Sequence, residues 1–127
     1  CDIYATTGGS QDITSNHKIA WMDLNSTSTF QTFGNATGQS FWRVTDGMGV
    51  LPTSANFMMT LYNFNSSTEY SFITMDVTSW NGTKLRGYQQ GGAKTETTAH
   101  DGVYINTNQS GGGGFQAGSQ FTLFKVI

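Results

Sequence analysis

The stretch EYSFITMDVTSWNGTKLRGY, residues 69–88, decides the fold of this chain. Apolar and polar side chains alternate through residues 69–80, which is typical of a β-strand whose two faces have different surroundings. The alternation places Ile73, Met75 and Val77 on one face and Tyr70, Phe72 and Trp80 on the other. Asn81-Gly82 follows directly, and an Asn-Gly pair between two strands is the strongest short-range signal of a hairpin. We therefore predict two antiparallel strands, at 69–80 and 83–88.

Four further segments have the composition of strands. Aromatic, β-branched and other apolar residues dominate them, and turn-forming Gly, Asn and Asp residues lie between them. They are 41–44 (FWRV), 57–64 (FMMTLYNF), 103–105 (VYI) and 121–127 (FTLFKVI). Short strands separated by turns predict an all-β fold, an antiparallel two-sheet β-sandwich of jelly-roll type with about eight strands.

The length favours one domain, because 127 residues fall within the usual range of ~100–150. Residues 1–18 are polar with scattered apolar positions, and we expect them to form an extended N-terminal arm. Residues 19–127 are expected to form the β-sandwich domain. The side chains expected in its core are Phe57, Met59, Leu61, Ile73, Met75, Val77, Phe121 and Leu123.

Charge is scarce in this chain. Charged residues make up 11% of it, against ~25% in an average soluble protein, which disfavours helical bundles and coiled coils. The net charge is −2 and there is no basic block, so binding to nucleic acid through phosphates has no electrostatic basis. No apolar run approaches the ~18 residues of a membrane helix. We therefore expect neither nucleic acid nor a membrane as a partner.

The residues that could carry catalysis do not form a recognisable pattern. The only histidines, His17 and His100, lie in polar segments without the nucleophile, base and acid of a triad. Asp46 and Asp101 each precede a glycine and are interpreted as turn residues, whereas Asp76 lies within a strand without a partner acid. The sequence therefore predicts that the protein is not an enzyme.

No cofactor or metal site is predicted either. The acids lack the D-x-D-x-D-G spacing of a calcium loop. Gly111–Gly114 is followed by no Lys-Ser/Thr pair, so it is interpreted as a flexible connection rather than a phosphate-binding loop. Cys1 is the single cysteine, which excludes an internal disulfide and a cysteine-based zinc site.

Trp80 and Tyr88 are the candidate ligand-binding residues. They flank the Asn81-Gly82 turn, so we expect their rings near a loop tip. Exposed rings stack on sugars and are favoured in recognition sites. The alternative is that the two rings cover the open end of the sandwich.

Several segments resemble one known family. They are FWRV (41–44), VLPTSA (50–55), FMMTL (57–61), GG (91–92), VYIN (103–106) and, most tellingly, FQAGSQFTLF (115–124). Together they resemble β-sandwich (jelly-roll) domains of tailed-phage virion proteins, of the tail-fibre, head-fibre or capsid-decoration type. The resemblance covers roughly residues 28–127 and departs from the family at Lys125, where a glycine is usual.

The resemblance implies a function that composition alone does not. It implies a non-enzymatic module on the virion surface that stabilises the particle or attaches it to a host. Copies of the same chain, as a homotrimer, and other virion proteins are the implied partners, with host-surface glycans as a further one. The alternative is a free carbohydrate-binding module or lectin-like β-sandwich, which would bind glycans as an isolated monomer.

Overall fold

A computed structural model describes residues 1–26, 28–44, 55–80, 82–107, 115 and 117–124 of the chain. Within these residues the structure is all-β, without a helix. The strands are β1 (Asp2–Thr7), β2 (Ser10–Gln11), β3 (His17–Asn25), β4 (Ser28–Gln39), β5 (Trp42–Arg43), β6 (Ala55–Tyr62), β7 (Ser71–Trp80), β8 (Leu85–Lys94) and β9 (Gly102–Asn106). A search of the described part for a helix of sufficient length and hydropathy to cross a membrane found none.

The strands form two antiparallel sheets. Sheet B has the order β4-β3-β8-β7-β6. Sheet A is built on β1, which pairs with β9 along most of its length and with β5 and β2 near its two ends. The predicted antiparallel two-sheet β-sandwich is thus confirmed, with nine strands in the described part.

The core lies between the two sheets. Along β7 every second side chain is buried, as the alternation at 69–80 predicted. Ile73, Met75 and Val77 of β7 pack with Ile3 and Trp42 of sheet A. The expected core residues Phe57, Met59 and Leu61 are partly buried and pack against this cluster.

The hairpin prediction is confirmed in the antiparallel pairing of its two strands and wrong in where the return strand ends. β7 and β8 are antiparallel, and Trp80 lies opposite Leu85. The return strand runs to Lys94 rather than ending at Tyr88. Its second half, QQGGAK, is poor in strand-forming side chains, so propensity alone did not mark it.

The N-terminal segment 1–18 is extended but does not stand apart from the sandwich. Ile3 and Ala5 are fully buried in the core, and β1 pairs with β9 through five residue pairs. The boundary drawn at residue 19 therefore divides β3, which begins at His17. Sequence analysis also missed β4, because its Ser, Thr, Gly and Asn residues are typical of turns.

The C-terminal segment corrects a second expectation. Phe121 and Leu123 were expected in the core, but they are 54% and 91% exposed. Residues 121–124 form no strand, and residues 125–127 of the predicted last strand lie outside the described residues. Alternation predicts that a segment can form a strand, but pairing also requires a free neighbouring edge.

Candidate functional site

The exposed face of sheet B is the first candidate for function. We call it the outer face, and in β7 it consists of Phe72, Thr74, Asp76, Thr78 and Trp80, all of which are exposed. Neighbouring strands extend it through Met58 of β6 and Leu85 of β8. Exposed apolar side chains grouped on one face are typical of interaction surfaces.

A shallow groove of about 430 Å³ crosses this outer face. Its wall on the β6 side includes Asn56 and Met58, and its wall on the other side includes Leu24 of β3. Between them lie Asp76, Thr78, Gly87 and Gln89. Gly87 lies opposite Thr78. Because glycine has no side chain, the groove is deeper at this point. The groove thus combines apolar walls with amide, hydroxyl and carboxylate groups.

The two predicted ligand residues lie on opposite faces of sheet B. Trp80 is 40% exposed. It lies two residues from Thr78 on the same strand and therefore belongs to the outer face. Tyr88 is only 6% exposed and belongs to the hydrophobic core. The Arg86 guanidinium lies 5.2 Å from the centre of the Tyr88 ring. Trp80 is therefore available to a ligand, whereas Tyr88 is not near the loop tip where we expected it.

A second candidate site is a polar cluster around Lys94, which we call the Lys94 cluster. It consists of Asp12, Thr14, Lys94, Glu96 and His100. The Lys94 side chain is completely buried, and its Nζ lies 2.8 Å from Asp12 Oδ2 and 3.0 Å from Thr14 Oγ1. The same Nζ contacts Glu96 Oε1. The ammonium group therefore has three oxygen partners, which a buried charge requires.

The backbone fixes these side chains in place. The Asp12 amide donates to the Ala5 carbonyl of β1 at 2.9 Å, and the Thr95 amide donates to the Asn16 carbonyl at 3.0 Å. The Asn16 side-chain amide also donates to Glu96 Oε2 at 2.6 Å. Segments far apart in the sequence thus meet at the end of β8, where Lys94 is the last residue.

Hydrogen bonds hold Asp12 in its ionised form. Burial alone would raise the pKa of this carboxyl group, but hydrogen bonds from the Lys94 ammonium and from Thr14 outweigh burial and lower the pKa well below its usual value. Thr14 donates to Asp12 Oδ1 twice, from its amide at 2.9 Å and from its hydroxyl at 2.7 Å.

Both histidines are buried, His100 within this cluster and His17 beside it. Burial, and after it the charge of Lys94, lowers the pKa of His17 and of His100. His17 Nδ1 lies 3.3 Å from the Thr14 carbonyl oxygen and 3.2 Å from that of Gln39, so it donates to them. His100 Nδ1 lies 3.2 Å from Thr7 Oγ1, and its Nε2 lies 3.9 Å from Glu96 Oε1. We therefore interpret both rings as neutral side chains that fill the polar end of the core.

Three residues of the Lys94 cluster have the chemistry of metal ligands. Asp12, Glu96 and His100 each offer one ligand atom, and these atoms lie within 4.8 Å of one another. Oxygen and imidazole ligands of this kind suit several divalent cations. Lys94 Nζ, however, already contacts both carboxylates. The Lys94 ammonium therefore serves as the cation of this cluster, and we assign no metal to it.

Sequence analysis did not find the Lys94 cluster. No motif singles out Asp12 or Glu96, and both histidines lie in polar segments without the other members of a triad. One signal was present: Tyr88, Gln90 and Lys94 share one face of β8, and all three are buried. A lysine on the buried face of a strand predicts a buried anionic partner. The two glycines of the segment weakened the alternation that would have revealed this.

Comparison of the chain with protein-family models, with curated proteins and with solved structures found no match. The description of the fold therefore rests on this structure without a solved relative beside it. The likeness to phage β-sandwich domains rests on the sequence segments quoted above.

Proposed function

We propose that this chain is a non-enzymatic binding module that presents the outer face of sheet B to a glycan on a host surface. The observation that carries this proposal is the groove on the outer face, whose lining residue Thr78 lies two residues from Trp80 on the same face of β7. An exposed indole on a sheet face, next to a groove lined by Asp76, Thr78 and Gln89, offers both kinds of contact that a sugar makes. The apolar face of the sugar ring stacks on the indole, while its hydroxyls exchange hydrogen bonds with the polar side chains.

The phage resemblance supports placing this module on a virion. In such a setting each glycan contact would be weak, since stacking on one ring contributes about 1 kcal/mol. Display of several copies on one particle would raise the avidity by ~10²–10⁴. The low charge of the chain suits recognition of neutral sugars rather than of anionic polymers.

A glycan array tests the binding proposal directly. We expect the purified chain, presented on a multivalent support, to bind a subset of glycans, and Trp80→Ala to reduce that binding at least about tenfold. Tyr104→Ala is the matched control, because Tyr104 is a similarly exposed ring, 48% accessible, but belongs to sheet A. Asp76→Asn should weaken binding without unfolding the protein, since Asp76 is exposed.

Equal binding by wild type and Trp80→Ala, with unchanged circular dichroism, would remove Trp80 and its groove from the proposal. Loss of binding in Tyr104→Ala alone would move the site to sheet A.

Assembly with copies of itself is the second part of the proposal. Phe121, Leu123 and Phe124 are 54%, 91% and 81% exposed, and among the described strands β6 pairs only with β7. An apolar segment with strand alternation can add to a free sheet edge of a second copy. Such strand addition provides a physical means of association for the homotrimer that the resemblance implies.

The double substitution Leu123→Asp and Phe124→Asp tests this assembly. We expect the wild-type chain to be oligomeric by light scattering coupled to size exclusion and the variant to be monomeric, because charged side chains disfavour an apolar interface. Ile13→Asp, at another exposed apolar position (69%), should leave the mass unchanged. A monomeric wild-type chain that still binds glycans would favour the alternative, a free carbohydrate-binding module.

A further inference from the structure

The amine of Lys94 and the carboxyl group of Asp12 lie close enough to react with each other, in addition to pairing as opposite charges. The amine nitrogen lies 2.8 Å from Asp12 Oδ2, and the lysine side chain has no contact with solvent. Because both groups belong to one fold, a reaction between them is intramolecular. The effective concentration of each group toward the other is therefore far higher than in solution. Burial of the two charges is costly, and a neutral covalent product would remove that cost.

Glu96 is placed to move protons between these two groups. Its Oε1 contacts Lys94 Nζ, and a carboxylate oxygen of Glu96 lies within 4.8 Å of a carboxylate oxygen of Asp12. A carboxylate that contacts the amine and lies close to the Asp12 carboxyl group can accept a proton from the nitrogen and pass it to the departing oxygen. The Asn16 amide holds Glu96 from its other oxygen, Oε2, and so leaves Oε1 for this role.

Thr14 supplies the remaining element of the chemistry. Attack on the Asp12 carboxyl carbon places negative charge on Oδ1, and that oxygen accepts hydrogen bonds from the Thr14 amide and hydroxyl. Two fixed donors on the oxygen that becomes negative stabilise a tetrahedral intermediate. The other oxygen, Oδ2, faces Lys94 and is the one that would leave.

We propose that Lys94 and Asp12 condense to an intramolecular isopeptide bond that joins β8 to the segment after β2. The Lys94 ammonium first gives one proton to Glu96, which passes it to Asp12 Oδ2. The neutral amine then attacks the carboxyl carbon, a second proton moves from nitrogen through Glu96 to the same oxygen, and the C–Oδ2 bond breaks. One C–N bond forms and one water leaves, so the ammonium and the carboxylate become a neutral amide without any oxidant or cofactor.

The mass of the purified, denatured chain tests the proposal. We expect an intact mass lower by one water than the mass calculated for the expressed sequence. Proteolytic mapping should then find one branched peptide in which Asp12 and Lys94 are joined. Mapping is essential, because Asp46-Gly47 and Asp101-Gly102 can also lose water by forming a succinimide, which leaves an unbranched peptide that reverts on mild alkaline treatment.

Three variants separate the roles of the residues. Lys94→Met and Asp12→Ala should have their full calculated masses. Glu96→Gln should slow the loss of water by about 100-fold or more, the usual contribution of a positioned acid–base group. Glu69→Gln is the control, because Glu69 is exposed and lies outside the Lys94 cluster, and it should lose water as the wild type does.

The wild-type measurement alone can overturn the proposal, even if a variant fails to fold. A full calculated mass after prolonged incubation of the folded protein would show that the cluster is an ion pair only. A branched peptide joining Lys94 to Glu96 instead of Asp12 would also overturn it.

Discussion

Gly91 and Gly92 are neighbours in β8, yet the two positions impose opposite requirements. A Cβ atom at Gly92 would lie 2.8 Å from the Lys18 carbonyl oxygen, 2.8 Å from Trp42 Cδ1 and 2.9 Å from Ile73 Cγ2. At Gly91 the nearest atom would be 3.9 Å away. Only at Gly92 do the two sheets approach closely enough to exclude a side chain, because that position faces the core.

Gly92→Ala is therefore expected to destabilise the protein by about 1–3 kcal/mol, the usual cost of overpacking a core. Gly91→Ala is the matched control and should change the free energy of unfolding by less than about 0.5 kcal/mol. Chemical denaturation of the two variants measures the difference. Equal losses at both positions would mean that the cost comes from the backbone and not from the contact with Trp42.

At the scale of the elements, β1 shows how a polar N-terminal segment becomes part of the core. It has β9 on one side, and Ile3 and Ala5 project between the sheets, where both are fully buried. The following residues tie it further to the rest of the fold, because Thr6 Oγ1 and the Gly9 amide both donate to the Asp101 carboxylate. These two hydrogen bonds lower the pKa of Asp101.

Two isoleucines of the segment 1–18 test this role of β1. Ile3→Ala should cost about 2–5 kcal/mol, because it removes a buried side chain and leaves a cavity. Ile13→Ala, at a position that is 69% exposed, should cost less than about 0.5 kcal/mol. Urea denaturation gives both values. If Ile3→Ala were as stable as Ile13→Ala, residues 1–18 would be a separate arm after all.

At the scale of the whole molecule, the buried histidines make stability depend on pH. Burial lowers the pKa of His17 and of His100 below 6.5, the usual value for a histidine side chain. The folded state therefore keeps both rings neutral at pH values where the unfolded chain already binds protons. Their contribution to stability is complete above about pH 6.5 and is lost as the pH falls below that value.

We expect the midpoint temperature of thermal unfolding to decrease as the pH is lowered from about 7.5 to about 5. This pH window lies above the ordinary pKa values of Asp and Glu. The double variant His17→Gln and His100→Gln should have a flatter profile over this window, whatever its absolute stability. An equally steep profile in that variant would assign the acid sensitivity to other groups.

The sequence by itself determined the fold class, because the alternation at 69–80 and the Asn81-Gly82 turn are local features that depend on few neighbours. It also placed Trp80 on the exposed face of its strand, since side chains alternate with a period of two. The partners of each strand were decided only by the tertiary structure. β1 is a core strand because it pairs with β9 and β5. The segment 121–124 has the alternation of a strand but pairs with no strand in the described structure.

The Lys94 cluster was likewise a product of tertiary structure. Asp12 and Lys94 come from distant segments, and neither has a local pattern that predicts the other. Their meeting depends on the segment after β2 lying against the end of β8, where the buried Lys94 ammonium contacts oxygens of Asp12, Thr14 and Glu96. Local sequence determines which way a side chain points, but only the packing of the two sheets decides what it meets there.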